Sequence, residues 1–359
     1  MGVKTKAAGI LGGAVLRRAP LKRAGLTMAA GFAVAWFIRQ SRRYRFFGRV
    51  VVITGGSRGL GLALAREFLH RGAKLALLAR DADELQRAQR QLNAGKRVVI
   101  RTCDVCDQDQ VQQAFADIQR ELGPIDVLVN NAGTLVVGPM DTMTAEEFRE
   151  ALNVFFWAPF YTTLAVIPGM RSRHSGRIVN ISSIGGKISV PHLLPYSVGK
   201  FALAGFSEGM RAELMKDGVY VTTVYPGLMR TGSPRNADFK GKHRAEYTWF
   251  LLSDATPGLS TSADHAARRI VRACEYGVAE LIITLPAKIA IKFHQLLPEL
   301  SSAALALVTL GLPKPGGLRE QKAKGAQSTN RITDSWVTAL DRKAAIKNNQ
   351  IPHPRAVNT

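Results

Sequence analysis

The chain has 359 residues, with 49 Lys+Arg against 27 Asp+Glu for a net charge of +22, and 46% of it is hydrophobic. That apolar fraction excludes a mostly disordered chain. Three cysteines exclude a disulfide framework and suit a reducing compartment, and a mean hydropathy near zero excludes a polytopic membrane protein while allowing one anchor. The charge is uneven. Residues before 50 hold about 11 Lys/Arg and no acid, those after 312 about nine against three, so roughly 17 of the 22 net charges lie in the two ends. Ends this basic suit an anionic membrane surface. No motif with interleaved aromatics points to nucleic acid, and no nucleic-acid partner is expected.

Residues 1–48 form one unit. Ala24–Ile38, AGLTMAAGFAVAWFI, is an uncharged run preceded by Lys22-Arg23 and followed by Arg39, Arg42, Arg43 and Arg45. As a helix it spans roughly 22 Å, short of the ~30 Å hydrocarbon core. Three readings compete: a signal peptide with Ala33-Val34-Ala35 at its cleavage site, an interfacial or tilted anchor with snorkelling arginines, and a helix packed on the protein's own surface or on a partner. The expectation is the anchor.

From Arg49 short β-branched runs alternate with longer helical ones. Strands are expected at Val50–Thr54, Lys74–Ala79, Arg97–Thr102, Val127–Asn130, Arg177–Ser182, Val219–Tyr225 and near Leu281–Thr284. Helices are expected at Leu60–Arg71, Ala82–Leu92, Gln108–Glu121, from Ala145 toward Met170, from about Ser197 to Lys216, and from Ser262 to Tyr276. Such alternation predicts an α/β fold: one doubly wound domain over 49–285 with about seven parallel strands covered on both faces. Residues 286–313 are apolar with sparse charge and predict one or two amphipathic helices, serving as a second membrane contact, an oligomer face or core cover. Residues 314–359 are polar, basic and rich in Gly, Gln and Asn, and predict a disordered tail.

The first strand runs into Thr54-Gly55-Gly56-Ser57-Arg58-Gly59-Leu60-Gly61. A glycine triplet that follows a strand and opens a helix is the setting for a dinucleotide. Gly55 allows the tight turn, Gly59 lets the backbone approach a pyrophosphate, and Gly61 permits close packing, with helix N-terminal amides holding the anion. An NAD site places an acid on the ribose about 20 residues further on. That place holds Ala79, followed by Arg80, and Arg58 lies inside the loop. Two guanidiniums favour a 2′-phosphate, so NADP(H) is expected over NAD(H).

The spacing TGxxxGxG resembles that of the short-chain dehydrogenase/reductase family, and the resemblance continues over about 49–285. It implies a Rossmann domain. It assigns Asp104-Val105 to the adenine end, Asn130-Asn131-Ala132-Gly133 to the turn supporting sheet and cofactor, and Pro226-Gly227 with Thr231 to the nicotinamide side. Tyr196 and Lys200, four apart at a helix start, share one face. Ser183 stands 13 residues before Tyr196 at a strand end, and strand alternation turns its neighbour Ser182 to the other side. Asn153, in LNVFFWAPF, matches the family's fourth catalytic position. By resemblance, Tyr196 is the general acid for reduction and the general base for oxidation. Lys200 lowers the phenol's pKa and holds the nicotinamide ribose, Ser183 bonds the substrate oxygen, and Asn153 anchors a water chain.

Other signals are weaker. Cys103 and Cys106 form a CxxC by spelling only, Glu146, Glu147 and Glu150 read as a solvated helix face, and no His pair has metal-ligand spacing, so no metal is expected. Leu228–Leu259 and Ile184–Pro195 would line a substrate pocket with Leu228, Met229, Trp249, Phe250, Leu251, Ile188, Val190, Leu193 and Leu194. With a membrane-binding N-terminus, that lining predicts a lipophilic ketone or alcohol: steroid-like, retinoid-like, long-chain acyl or sphingoid. The expectation is a membrane-associated reductase or dehydrogenase with its catalytic domain in the cytoplasm, where the cofactor pool is, forming a homodimer or homotetramer. The competing readings are a non-catalytic cofactor-binding membrane scaffold and an NAD-dependent alcohol dehydrogenase.

Overall fold

The computed structural model describes residue 37 and residues 40–351, apart from 257, 334, 336 and 337. The chain divides into two units, 1–43 and 44–359. The run Ala24–Ile38 lies outside the described residues except for Phe37. The second unit begins earlier than the expected boundary at 49, because Tyr44 and Phe46 are buried and Phe46 stacks edge-on against Phe68.

Seven strands make the central sheet: β1 (Val50–Thr54), β2 (Lys74–Ala79), β3 (Val98–Thr102), β4 (Ile125–Asn130), β6 (Gly176–Ile181), β7 (Val219–Tyr225) and β11 (Glu280–Ile282). Their order is β11-β7-β6-β4-β1-β2-β3, every pairing parallel. The strands are runs of Val, Ile and Leu with no polar alternation because both faces are covered. Val51 and Ile53 face one apolar cluster and Val50 and Val52 the other. Each such fully buried aliphatic side chain contributes about 1.5–3 kcal/mol.

The helices alternate with these strands: α1 (Gly59–His70), α2 (Ala82–Leu92), α3 (Gln108–Leu122), α4 (Ala145–Leu152), α5 (Ala158–Ser172), α6 (Leu194–Leu214), α7 (His243–Ala255) and α8 (Ala263–Glu275). Their starts follow local chemistry: Asp81 caps Glu84 N–H, Asp107 caps Asp109 and Gln110, and Thr144 forms a capping box with Glu147. Residues 145–172 are continuous and apolar enough to cross a membrane, but Ala158, Thr162, Val166 and Met170 are buried inward against the sheet. A π-turn at Asn153–Trp157 joins α4 to α5.

Past the sheet, α9 (Leu285–Leu296) and α10 (Pro298–Leu310) form a hairpin. The stretch after 313 corrects the expectation of disorder as far as the described residues go. β12 (Ala323–Lys324) pairs antiparallel with β9 (Asp238–Phe239), which runs parallel to β5 (Val136–Val137), and β8 (Leu228–Arg230) runs parallel to β10 (Ser260–Ser262). A last helix, α11 (Ala339–Lys347), follows. Composition misled here because the tail is held by polar contacts remote in sequence. Lys322 pairs with Glu147 and Glu150, Lys324 with Asp238, and Lys347 with Asp264. Glu147 is likewise not solvated: it is 4% exposed and bound to Lys240, itself fully buried, at 2.9 Å. Burial raises its carboxyl, but the Thr144 and Lys240 hydrogen bonds overcome this and take it down to about 2.

Candidate active site

In a parallel sheet all carboxyl ends lie on one edge, so the loops after β1, β2, β3, β4, β6 and β7 converge there. They enclose a cleft of about 840 Å³. Its lining includes Gly55, Ser57, Arg58, Gly59 and Leu60 after β1, Ala79-Arg80 at the end of β2, and Asp104-Val105 after β3. Asn131-Ala132-Gly133, Ser183, Tyr196, Lys200, Pro226, Gly227 and Thr231 complete it. Thr54 and Gly61 stand behind this wall as supports. Thr54 Oγ1 accepts the N–H groups of Asn131 and Ala132 at 3.0 Å, and Asn131 Nδ2 donates to the carbonyls of Thr54 and Gly55. A Cβ on Gly61 would lie 2.1 Å from the Gly55 carbonyl, so only glycine lets the helix start come this close to the turn. Gly55 and Gly59 have φ of +62° and +59°.

This cradle fits a dinucleotide. No side chain caps the N-terminus of α1, leaving its first amides for an anion. One of these amides has a partner that composition did not forecast: Gly59 N–H donates to Asn348 O at 2.9 Å. Asn349 Nδ2 donates to Ser57 O and Glu84 O, Asn236 Nδ2 donates to Gln350 Oε1, and Gln350 and Lys324 line the cleft. The two arginines differ. Arg58 is tied to Glu84 at 2.7 Å, whereas the Arg80 side chain is 79% exposed with Asp104 at 4.0 Å. Glu84, absent from the sequence-based site, also accepts the Ser57 hydroxyl.

At the other end of the cleft, α6 presents Tyr196 and Lys200 on one face, with Pro195 in its first turn. Tyr196 shares a hydrogen bond with Ser183, whose Oγ accepts Gly185 N–H at 3.0 Å. Ser182 Oγ instead donates to Lys200 O, on the far side. Lys200 Nζ donates to Ile181 O at 2.7 Å and lies 4.0 Å from the Phe155 ring centroid. Burial pulls the Lys200 ammonium down to about 7. Burial also raises the Tyr196 phenol, with the Ser183 hydrogen bond acting against it. Desolvation favours the neutral form of each, and Lys200 Nζ lies 5.6 Å from the Tyr196 ring centroid.

Asn153 is placed differently from the expectation. It begins the π-turn, is exposed, and is not among the cleft-lining residues. The turn carries Val154 and Phe155 inward instead. Phe155 is 1% exposed and stacks edge-on with Tyr196 at 5.4 Å. The helical spacing used for the sequence reading assumes 3.6 residues per turn, and a π-turn breaks that register.

Of the expected substrate lining, Met229 is in the cleft. Leu193 and Leu251, with Val190, Trp249 and Phe250 against them, pack around Val137, Phe239 and Tyr247. The loop before Tyr196 is pinned by a buried polar knot that sequence reasoning missed. His192 Nδ1 lies 3.0 Å from both Glu246 carboxylate oxygens, and Trp249 Nε1 donates to Glu246 at 2.7 Å. Cys103 and Cys106 are pushed up to about 11 and about 12 by burial and by Asp104, which keeps both as thiols. Among the described residues no group of His, Cys, Asp and Glu could hold a metal.

Comparison with known proteins agrees with this geometry. The sequence profile of the family described as short chain dehydrogenase matches residues 49–240. A dehydrogenase/reductase SDR family protein 7-like from Anopheles gambiae is 37% identical over 196 residues, 53% of this chain and 62% of the relative. A 3-dehydrosphinganine reductase from Danio rerio is 37% identical over 185 residues, 50% of this chain and 56% of the relative. The chain therefore spans less than two thirds of either protein. Among solved structures, L-sorbose reductase from Gluconobacter frateurii, in complex with NADPH and L-sorbose, is 29% identical with a TM-score of 0.60. That match covers 67% of this chain and 96% of that one.

Proposed function

The chain belongs to the short-chain dehydrogenase family, and on that footing we propose that it is an NADP(H)-dependent oxidoreductase interconverting a carbonyl and a secondary alcohol on a lipophilic substrate. The observation that carries the proposal is the convergence of Tyr196, Ser183 and Lys200 at one end of a cleft whose other end is the glycine cradle.

A nicotinamide dinucleotide bound in the cradle would supply or accept the hydride. Gly55, Ser57, Gly59, Leu60 and the start of α1 hold the pyrophosphate, Asp104 and Val105 the adenine end, and Asn131, Ala132, Gly133, Pro226, Gly227 and Thr231 the nicotinamide end. Arg80 follows Ala79 at the strand end, where an NAD site would carry an acid, and this supports the 2′-phosphate reading. Arg58 is already partnered by Glu84, so Arg80 carries most of that preference.

Tyr196 gives its phenolic proton to the substrate oxygen in reduction and takes it back in oxidation. Ser183 donates a second hydrogen bond to that oxygen and fixes its position. Lys200, held between Ile181 O and the Phe155 ring, reaches the nicotinamide ribose and brings positive charge to the phenol when protonated. Val154, Phe155, Leu135 and Met229 give the reacting end an apolar wall. That wall and the likeness to a 3-dehydrosphinganine reductase support a lipid-like substrate. The basic, apolar sequence of segment 1–48 supports a location at a membrane surface, and the proposal puts the catalytic unit on the cytosolic side.

The test is NADPH and NADH oxidation by detergent-solubilised full-length protein against ketones and aldehydes, from small polar ones to steroid-sized and long-chain ones. The reading expects NADPH-dependent turnover that rises with substrate apolarity. Turnover with NADH alone would overturn the cofactor assignment, and turnover confined to small polar carbonyls would overturn the substrate class.

A further inference from the structure

Among the described residues, the α9–α10 hairpin has no protein core beneath most of it. α10 reads PELSSAALALVTL, with Glu299 its one charge, and Ser301 is its one buried residue. At 100° per residue, the exposed Leu300, Ala304, Ala306, Leu307, Val308 and Leu310 spread over about 200°, more than half its circumference, and Leu310 is 80% exposed. On α9, Leu285, Ile289, Phe293 and Leu296 form an exposed apolar stripe at i, i+4, i+8 and i+11, and Lys288 and Lys292 form a basic stripe beside it. The two helices are tied by His294 Nδ1 and Ser301 Oγ at 2.9 Å. A helix apolar over most of its circumference belongs in a core or in lipid, and this one has little core around it among the described residues.

We propose that the α9–α10 hairpin is a monotopic membrane-insertion element that takes an anionic lipid surface as its partner. Lys288, Lys292 and Lys314 stand against Glu299 alone between residues 285 and 314, the charge complement of anionic headgroups. An exposed apolar arc this wide exceeds what one flat protein face covers, whereas acyl chains surround a helix. At 13 residues α10 is roughly 20 Å long, too short to cross the ~30 Å core, so the hairpin enters one leaflet. Its root lies at the cleft: a Cβ on Gly227 would meet Thr284 Oγ1 at 2.5 Å and Ala287 at 3.3 Å. The first turn of α9 is thereby fixed to the Pro226-Gly227 loop, and insertion brings that end of the cleft to the lipid. This proposal goes beyond the expected N-terminal anchor and does not depend on turnover.

The experiment places an environment-sensitive bimane label on Leu300→Cys in the full-length chain, and on Gln112→Cys of α3 as control. The wild-type chain taken through the same labelling gives the background from its own cysteines. The probe is equimolar phosphatidylcholine–phosphatidylserine vesicles with brominated acyl chains. The expected result is a blue shift and loss of emission for the Leu300→Cys label, with the Gln112→Cys label unchanged. Vesicle-bound protein whose Leu300→Cys label stays as accessible to aqueous iodide as in buffer would overturn the proposal, and so would protein that does not sediment with the vesicles. A label already shielded from iodide in buffer, in protein that runs as a dimer, would assign the surface to a second copy and overturn it equally.

Discussion

Lys200 is buried among a backbone carbonyl and an aromatic face, with its ammonium brought down to about 7 from an ordinary 10.5. The unfolded chain therefore holds more protons at this site than the folded one between those values, and folding gains stability as pH rises across that window. In cofactor-free protein, the melting temperature of the wild type is expected to rise relative to Lys200→Met between about pH 7 and about pH 9. Melts that stay parallel across that range would show an ammonium already satisfied in the fold. Phe155 contributes to this environment, and its position illustrates where residue-level reading stops. Tyr196, Lys200 and Ser183 were legible because i, i+4 spacing and strand alternation are local rules. The inward turn of Phe155 in place of Asn153 was not, because a π-turn leaves no signature in a 3.6-residue pattern.

The strands of the central sheet and the helices that alternate with them were legible almost to their ends, since apolar runs bounded by Gly, Asp and Asn mark a covered parallel sheet, whereas α7 was not among the expected helices. The closing segment was not, because its contacts join residues far apart in sequence. Helix α11 carries a buried Asp341, 3% exposed, whose Oδ1 lacks a hydrogen-bond partner among the described residues. It faces Asp254 of α7, also buried. Burial, with Asp341 nearby, holds Asp254 well above the usual carboxylate range, and burial takes Asp341 up to about 6, against the opposing pull of Gly232 N–H, Arg235 and Arg230. The folded chain holds the extra proton between 3.8 and about 6, so stability is lost as pH rises through that window. Asp341→Asn keeps an acceptor for Gly232 and removes the charge. It is expected to stabilise the protein by about 3 kcal/mol above pH ~7 and by little near pH ~4. Denaturant melts at the two values measure this, and a variant less stable at both would mean that the carboxylate is needed where it stands.

Across the whole molecule, the charge asymmetry read from composition is partly absorbed by the fold. Lys322, Lys324 and Lys347 of the basic tail meet Glu147, Glu150, Asp238 and Asp264, and Asn348–Gln350 close over the glycine loop. The family, the sheet and the cofactor loop follow from one glycine pattern and its βαβ context. The coverage of the cleft by the end of the chain depends on tertiary contacts that no local motif encodes. The central claim is that one phenol, at the end of this cleft, moves the proton of a hydride-transfer reaction. Its most direct test compares NADPH-dependent carbonyl reduction by wild type and Tyr196→Phe, with NADPH binding measured alongside. The account predicts a fall in kcat of about 10²–10⁴-fold in a variant that still folds and binds NADPH, and turnover by Tyr196→Phe at or near the wild-type rate would contradict it.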